Sequence, residues 1–176
     1  MQKFLKTKLP PLALALLAVI LDQWTKALAV AHLKPIPTHP LIEGVFHLTY
    51  RENRGAAFSM FADHPWVFMT ISTVAIIGML VYFFYAKDMP ALVRYPLGMV
   101  VGGGIGNMID RIAVGFVVDF IDVRLINFAV FNVADCFVTV GAVLLFIGLL
   151  IEFRREELKE KAKTAAGENY DDRPGA

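Results

Sequence analysis

Two aspartates, Asp119 and Asp135, are the residues of this chain best suited to chemistry, and they lie sixteen residues apart. Asp119 falls in a short extended segment beside long apolar runs, and Asp135 falls where the last of these runs begins. Ionisable groups at the edge of hydrocarbon are costly and usually have a partner or a function. Two carboxyls that share a poorly solvated site hold one proton between them. The ionised carboxyl can then take a proton from water while the neutral one donates a proton to a substrate.

Each aspartate also has a purely structural interpretation. The spacing Asn132-x-x-Asp135 resembles a capping box, in which Asn132 caps a helix and Asp135 reaches back from its first turn. Asp119 could accept a backbone N–H group in a turn, and Asp122 competes with it for any catalytic role. The spacing alone does not choose between these interpretations.

The composition indicates an integral membrane protein. The 176 residues are 57% hydrophobic and only 19% charged, and the mean hydropathy is +0.58, which is more apolar than a soluble domain of this size. We expect one membrane-embedded domain over residues 1–153 and a charged cytoplasmic tail over residues 154–176. The net charge of +1, with no basic patch interleaved with aromatic residues, argues against nucleic acid as a partner. A single cysteine, Cys136, excludes an internal disulfide and a thiolate metal cluster.

Four apolar stretches are long enough to cross about 30 Å of hydrocarbon as helices. A basic start and the sequence Ala29-Val30-Ala31 give the first stretch a superficial likeness to a cleavable secretory signal, but three further spans follow and Asp22 interrupts it. In the third span, glycines recur at four-residue spacing, so we expect another helix to approach closely there. The predicted spans are residues 10–31, 66–86, 95–112 and 133–151, and the glycines are Gly98, Gly102 and Gly106.

The segments between the spans predict a small cap outside the membrane, over residues 32–65 and 113–132. Three prolines within residues 35–40 exclude a long helix there. Residues 45–51 alternate apolar and polar side chains, which indicates a half-buried strand.

The distribution of lysine and arginine predicts that both termini are cytoplasmic. With four spans, the polar residues that interrupt the apolar pattern then meet at one depth near the outer membrane surface. Asp22 and Lys26 could instead be a self-neutralising pair four residues apart, and Asn107 and Arg111 could be interfacial groups. The converging residues are Asp22, Lys26, Asn53, Asn107, Asp110, Arg111, Asp119, Asn132 and Asp135.

Several other kinds of site are disfavoured. The four histidines lack the spacing of metal ligands, so we expect no metal and no other cofactor. A nucleophile elbow is absent, and the glycines of residues 102–106 follow no strand, so a phosphate-binding loop is not supported.

Five motifs, in this order, resemble the bacterial signal peptidase II family, the lipoprotein signal peptidases. Each motif is weak alone, but together they cover about residues 12–151 of a chain with four predicted spans. The motifs are Asp22-Gln23-Trp24-Thr25-Lys26, Asn53-Arg54-Gly55-Ala56-Ala57-Phe58-Ser59, Gly103-Gly104-Ile105-Gly106-Asn107-Met108-Ile109-Asp110-Arg111, Val118-Asp119-Phe120-Ile121-Asp122 and Phe131-Asn132-Val133-Ala134-Asp135.

The resemblance implies a mostly α polytopic membrane protein, with four transmembrane helices, a small extracytoplasmic β-cradle and a flap. It implies an aspartic endopeptidase of the bacterial cytoplasmic (inner) membrane that cleaves diacylglyceryl-modified prolipoproteins just before the lipidated cysteine, in contact with membrane lipids. We expect a monomer, because the glycine face of the third span is more simply used within the four-helix core. It assigns the catalytic pair to Asp119 and Asp135, and thereby prefers Asp119 over Asp122. The implied substrate-binding or supporting residues are Asn53, Gly55, Asn107, Arg111, Asn132, Asp22 and Lys26.

Two other functions fit parts of the pattern. A proton-coupled transporter could use Asp22, Asp119 and Asp135 as a relay, but transporters usually place such groups near the membrane midplane and often carry inverted repeats. A non-catalytic scaffold could use the glycine face of the third span, and would not need the aspartates.

Overall fold

The computed structural model describes residues 6–36, 38–55, 65–86 and 88–171. The chain is mostly helical, with a three-stranded antiparallel sheet between its first and last helices, in agreement with the mostly α prediction. The part of the predicted cap that falls on residues 56–64 lies outside the described residues. The helices are α1 (Leu9–Leu33), α2 (Pro65–Tyr85), α3 (Ala91–Val114) and α4 (Val133–Asp171), and the strands are β1 (Thr38–Ile42), β2 (Phe46–Asn53) and β3 (Val117–Val123).

Three helices among the described residues are long and apolar enough to cross a membrane: α1, α3 and residues Val133–Thr164 of α4. The fourth, α2, contributes the shorter apolar stretch Met69–Tyr85. Helix α4 continues without a break through its charged C-terminal part. Its 39 residues correspond to about 58 Å, so it extends well beyond a single membrane thickness.

Helix α3 packs between α1 and α4, and its glycines make this close packing possible. A Cβ atom at Gly102 would lie 2.5 Å from the backbone oxygen of Ala15 in α1, and one at Gly103 would lie 2.5 Å from that of Ala134 in α4. The glycine face predicted from the sequence is therefore used for packing within the chain. Pro96 lies inside α3, beyond its first turn, so it removes one intrahelical hydrogen bond.

The sheet lies against the C-terminal end of α1. Its order is β1-β2-β3, with β2 in the centre and every pair antiparallel. Ala29 and Leu33 of α1 form an apolar cluster with Val118 and Phe120 of β3. Helix α3 ends at Gly115, whose positive φ of 81° lets the chain turn directly into β3. The helix bundle and the sheet thus meet where Asp119 lies.

Replacing Gly102 by alanine should lower the stability of the protein, because the added methyl group would collide with the backbone of α1. We expect a loss of about 1–3 kcal/mol, measured as a lower midpoint of thermal unfolding in detergent. Gly78 in α2 is the matched control, since a Cβ there meets nothing within 4 Å. Gly78→Ala should be neutral or stabilising by up to about 1 kcal/mol, and equal effects of the two substitutions would contradict this account of the packing.

Candidate active site

Asp119 lies in the first half of β3, and two asparagine side chains bind its carboxyl group. It is only 2% exposed. Its Oδ2 accepts a hydrogen bond from Asn53 Nδ2 at 2.9 Å, and its Oδ1 accepts one from Asn132 Nδ2 at 2.7 Å. Gly55 N–H donates to Asn53 Oδ1 at 3.0 Å and thereby fixes which end of that amide faces the carboxyl.

An irregularity in the sheet brings Asn53 to this position. The pairing of β2 with β3 shifts register between Leu48 and Arg51, so one extra residue of β2 is accommodated opposite β3. Such a bulge turns the following side chains to the other face of the strand. Beyond the bulge, Asn53 is paired with Val117, and its side chain reaches diagonally to Asp119, two residues further along β3.

Asp135 lies in the first turn of α4 and belongs to the capping box that the sequence suggests. Asp135 N–H donates to Asn132 Oδ1 at 2.9 Å, and Asn132 N–H donates back to Asp135 Oδ2 at 3.1 Å. The other carboxyl oxygen of Asp135 accepts a hydrogen bond from Asn107 Nδ2 at 2.8 Å. The helix cap and the candidate site therefore use the same groups, and the two interpretations do not exclude each other.

The Asn132 side chain connects the two carboxyls. It is completely buried, it donates to Asp119 and it accepts from the backbone of Asp135. Its Nδ2 also lies 3.0 Å from Asn107 Oδ1. Asp119 and Asp135 thus occupy opposite sides of one amide network.

A buried ionic cluster beside this network joins α1 to α3, β3 and α4. Lys26 pairs with Asp22 at 2.8 Å and with Asp110 at 2.9 Å, and all three are at most 7% exposed. Asp22 Oδ1 accepts from the N–H group of Ala134 at 2.9 Å, next to Asp135, and Asp110 Oδ2 accepts from that of Val118 at 3.2 Å, next to Asp119. The cluster therefore holds the backbone on both sides of the candidate site.

Two residues close to the site have no role assigned from the sequence. Asp110 completes the ionic cluster, and Gln23 Nε2 donates to Asp110 Oδ1 at 2.8 Å and to Gly106 O at 3.1 Å. Asp110 lies three residues after Asn107 on α3, so helical periodicity places it close to that side chain. Gln23 has no comparable signal, because only the packing of α1 against α3 gives it a partner.

A cavity of about 670 Å³ opens beside both aspartates. Asn53, Asn107, Arg111, Asp119 and Asp135 line its polar end. The rest of its wall is mostly apolar, formed by side chains of α2, α3 and α4 and by residues 128–131. Such a mixture suits a ligand with a long apolar part and one polar group that reacts.

Arg111 connects this cavity to the segment that follows β2. Its guanidinium donates to the backbone oxygen of Asn107 at 3.2 Å and to that of Gly55 at 3.3 Å. Arg111 lines the cavity, whereas Gly55 is buried and is not part of the cavity wall. Gly55 therefore contributes through its backbone.

Asp122 has a different environment from Asp119. It is bound on the other side of β3 by Thr49 Oγ1 at 2.7 Å and by Arg124 Nε at 3.0 Å. Burial by itself would raise its pKa, but these two donors and the Arg124 charge hold the pKa of Asp122 below its usual value. Asp122 does not contribute to the wall of the cavity.

Burial raises the pKa of Asp119 from its usual 3.8 to about 6. The hydrogen bond from Asn53 opposes this rise, and the charge of Asp135 adds to it. Asp119 is therefore able to carry a proton near neutral pH. Among residues 6–36, 38–55, 65–86 and 88–171, no group of three or more histidine, cysteine, aspartate or glutamate side chains is arranged to hold a metal ion.

The raised pKa of Asp119 predicts a pH-dependent effect of Asp119→Asn on stability. The folded state binds this proton more tightly than the unfolded state, so the stabilisation is present below pH 3.8 and is lost as the pH rises through about 6. Asparagine does not titrate. The stability of Asp119→Asn relative to the parent should therefore increase by about 2 kcal/mol between pH 4 and pH 7, measured by unfolding in detergent.

Asp122→Asn is the matched control for this experiment. Because the pKa of Asp122 is lowered in the fold from its usual 3.8, the stability that its carboxylate contributes is present above that pH and is lost only below it. The relative stability of Asp122→Asn should therefore change little between pH 4 and pH 7. A pH-independent difference for Asp119→Asn would contradict the buried, protonatable state of Asp119.

Comparison with known proteins agrees with the resemblance seen in the motifs. A family model described as signal peptidase (SPase) II matches residues 14–151. A lipoprotein signal peptidase from Caldanaerobacter subterraneus subsp. tengcongensis is 48% identical over 136 residues, which are 77% of this chain and 91% of that protein. One from Streptococcus pyogenes serotype M1 is 43% identical over 148 residues, which are 82% of this chain and 95% of that protein.

The fold agrees as well. A bacterial membrane enzyme solved by the in meso method is similar with a TM-score of 0.74 and 29% identity, over 82% of this chain and 89% of that one. A second structure with the same description has a TM-score of 0.71 at 29% identity. The matched region includes every residue assigned to the site. This chain therefore belongs to the signal peptidase II family, and it is a signal peptidase.

Proposed function

We propose that this protein removes the signal peptide from diacylglyceryl-modified prolipoproteins, cutting just before the lipidated cysteine. The family membership supports a prolipoprotein substrate, and the relatives are lipoprotein signal peptidases by name. The observation that carries the proposal is that Asp119 and Asp135 line one cavity and are joined through the buried amide of Asn132.

In the proposed reaction the two carboxyls divide the work of an aspartic protease. A water molecule between them loses a proton to the ionised carboxylate as its oxygen attacks the scissile carbonyl carbon. The neutral carboxylic acid then donates its proton to the leaving amine. The water thus supplies both the hydroxyl of the new carboxyl terminus and the proton that restores the pair.

The lining of the cavity supports this substrate class. Its long apolar wall suits the acyl chains and the apolar signal segment of a lipid-modified protein, and Arg111 and the asparagines suit the polar groups near the scissile bond. The proposed mechanism uses no metal ion and no cofactor, since water and two carboxyls are sufficient.

We further propose four membrane spans, with α2 as the second, and both termini in the cytoplasm. The active site then lies near the outer face of the bacterial inner membrane, where water reaches it. Residues 1–153 form one membrane-embedded domain, the tail beyond it is cytoplasmic, and the enzyme acts as a monomer. The charge distribution supports this orientation, since most lysines and arginines then lie on the cytoplasmic side.

Asp119→Asn and Asp135→Asn should each abolish cleavage of a diacylglyceryl-modified prolipoprotein by the purified enzyme. Each substitution leaves a neutral amide of the same size in place of a group that must exchange protons, so we expect a loss of at least about 1,000-fold in kcat. Cleavage is measured by the mobility shift of the substrate, with folding checked by thermal unfolding. Asp122→Asn is the control and should keep most of the activity, because Asp122 faces away from the cavity. Substantial cleavage by either Asp119→Asn or Asp135→Asn would rule out the proposed pair.

The orientation can be tested with single cysteines in a Cys136→Ser background. In intact cells, a membrane-impermeant maleimide should label Ile42→Cys in the cap, which is 58% exposed, but not Gly167→Cys in the tail. Disrupting the membrane should make Gly167→Cys reactive. Labelling of Gly167→Cys in intact cells would reverse the proposed topology.

A further inference from the structure

Lys26 makes a third contact besides its two ion pairs. The side chain is 3% exposed, and its ammonium group lies 2.9 Å from Asn107 Oδ1, in addition to the contacts with Asp22 and Asp110. An ammonium group has three protons and no acceptor. Each proton therefore has an acceptor, and one of the three acceptors is a residue that lines the cavity.

This contact determines the orientation of the Asn107 amide. A donor-only group requires the amide oxygen on its side, so the amide nitrogen must face Asp135, where it donates to Oδ1 at 2.8 Å. The reversed amide would direct its NH₂ group at the ammonium and its oxygen at the carboxylate. Both contacts would then be repulsive in a poorly solvated site.

The other donor to Asn107 Oδ1 is weaker. Asn132 Nδ2 reaches that oxygen at 3.0 Å, but its two protons also serve Asp119 Oδ1 at 2.7 Å and the Val118 oxygen at 3.4 Å. The amides of Asn53 and Asn132 are themselves oriented by backbone N–H groups. Asn107 differs from them because a charged side chain of another helix orients its amide.

We propose that Lys26 is a positioning residue that acts through Asn107. By fixing the Asn107 amide, it keeps a donor on Asp135 and so holds that carboxyl in the position and orientation that the reaction requires. This assignment rests on the proposed function, because it presupposes that the two aspartates are the catalytic pair.

A double-mutant cycle on the rate tests this proposal. Lys26→Met, Asn107→Ala and the double variant are compared with the parent in single-turnover cleavage of the diacylglyceryl-modified prolipoprotein, well below the melting temperature of each. If Lys26 acts through Asn107, Lys26→Met lowers kcat by about tenfold or more with little change in KM, and it has no further effect in the Asn107→Ala background. Effects that multiply, or a change confined to KM, would overturn the proposal.

Lys26→Met leaves two buried carboxyls without their cation, so it can fail to fold for reasons unrelated to positioning. In that case the cycle is repeated in an Asp22→Asn background. There Lys26 pairs with only one carboxylate, Asp110, so Lys26→Met leaves one buried carboxyl without its cation instead of two. The expected non-additivity between positions 26 and 107 is the same. Multiplicative effects there would overturn the proposal in the same way.

A spectroscopic measurement separates positioning from general stabilisation. In the NMR spectrum of enzyme labelled with ¹⁵N-asparagine, the two protons of the Asn107 side-chain amide should have well-separated chemical shifts, because one of them is hydrogen-bonded to a carboxylate. The Asn107→Ala variant assigns the signal. Removing Lys26 should bring the two chemical shifts closer together, and unchanged shifts would contradict the proposal.

The Asp119→Asn and Asp135→Asn variants distinguish failure of this proposal from failure of the proposed function. Activity in either variant would rule out the catalytic pair. Inactivity in both, together with multiplicative effects in the cycle, would rule out only the role of Lys26.

Discussion

The Asn132 amide is the group on which the candidate site depends. Its nitrogen donates to the Asp119 carboxyl, its oxygen accepts the N–H group of Asp135, and its own backbone N–H group returns a hydrogen bond to Asp135. A completely buried amide is stable only if its donors and acceptors have partners. The start of α4, the strand β3 and both carboxyls therefore have to keep their relative positions, and satisfying one polar group places the reactive pair.

The charge cluster gives this arrangement a rigid support. A lysine and two aspartates buried together are costly to desolvate, and each depends on the others, so the cluster tolerates little displacement. Asp22 binds the backbone next to Asp135, and Asp110 binds the backbone next to Asp119. Through Lys26, the same cluster reaches the amide of Asn107. The polar end of the cavity is thus held by α1, a helix that contributes no residue to the cavity wall.

Much of the secondary structure follows from local patterns in the sequence. The apolar stretches predict where the helices begin to within a few residues, although α4 continues to Asp171, well beyond the predicted span of 133–151. The alternation over residues 45–51 predicts the central strand β2. Strand β1 has no prediction of its own, because Thr38–Ile42 shows no alternation of apolar and polar side chains; as an edge strand it tolerates Pro40, which has no N–H group to donate. Helix α3 begins at Ala91, before the predicted span, because Pro90 and the charged residues around it predict a loop up to Arg94, whereas in the structure Pro90 directly precedes the helix.

The sequence by itself determined that polar residues interrupt apolar helices and that they cluster in a few motifs, because composition and periodicity are local properties. It also gave Asp119, Asp122 and Asp135 as candidate carboxylates, but their spacing left open whether Asp119 or Asp122 is the partner of Asp135. Only the tertiary structure places Asp119 rather than Asp122 in the cavity wall with Asp135, because that depends on how β3 pairs with β2 and packs against the helices. It also gave Gln23 and Asp110 their places, since a hydrogen bond between distant segments requires both partners to be brought together by the fold.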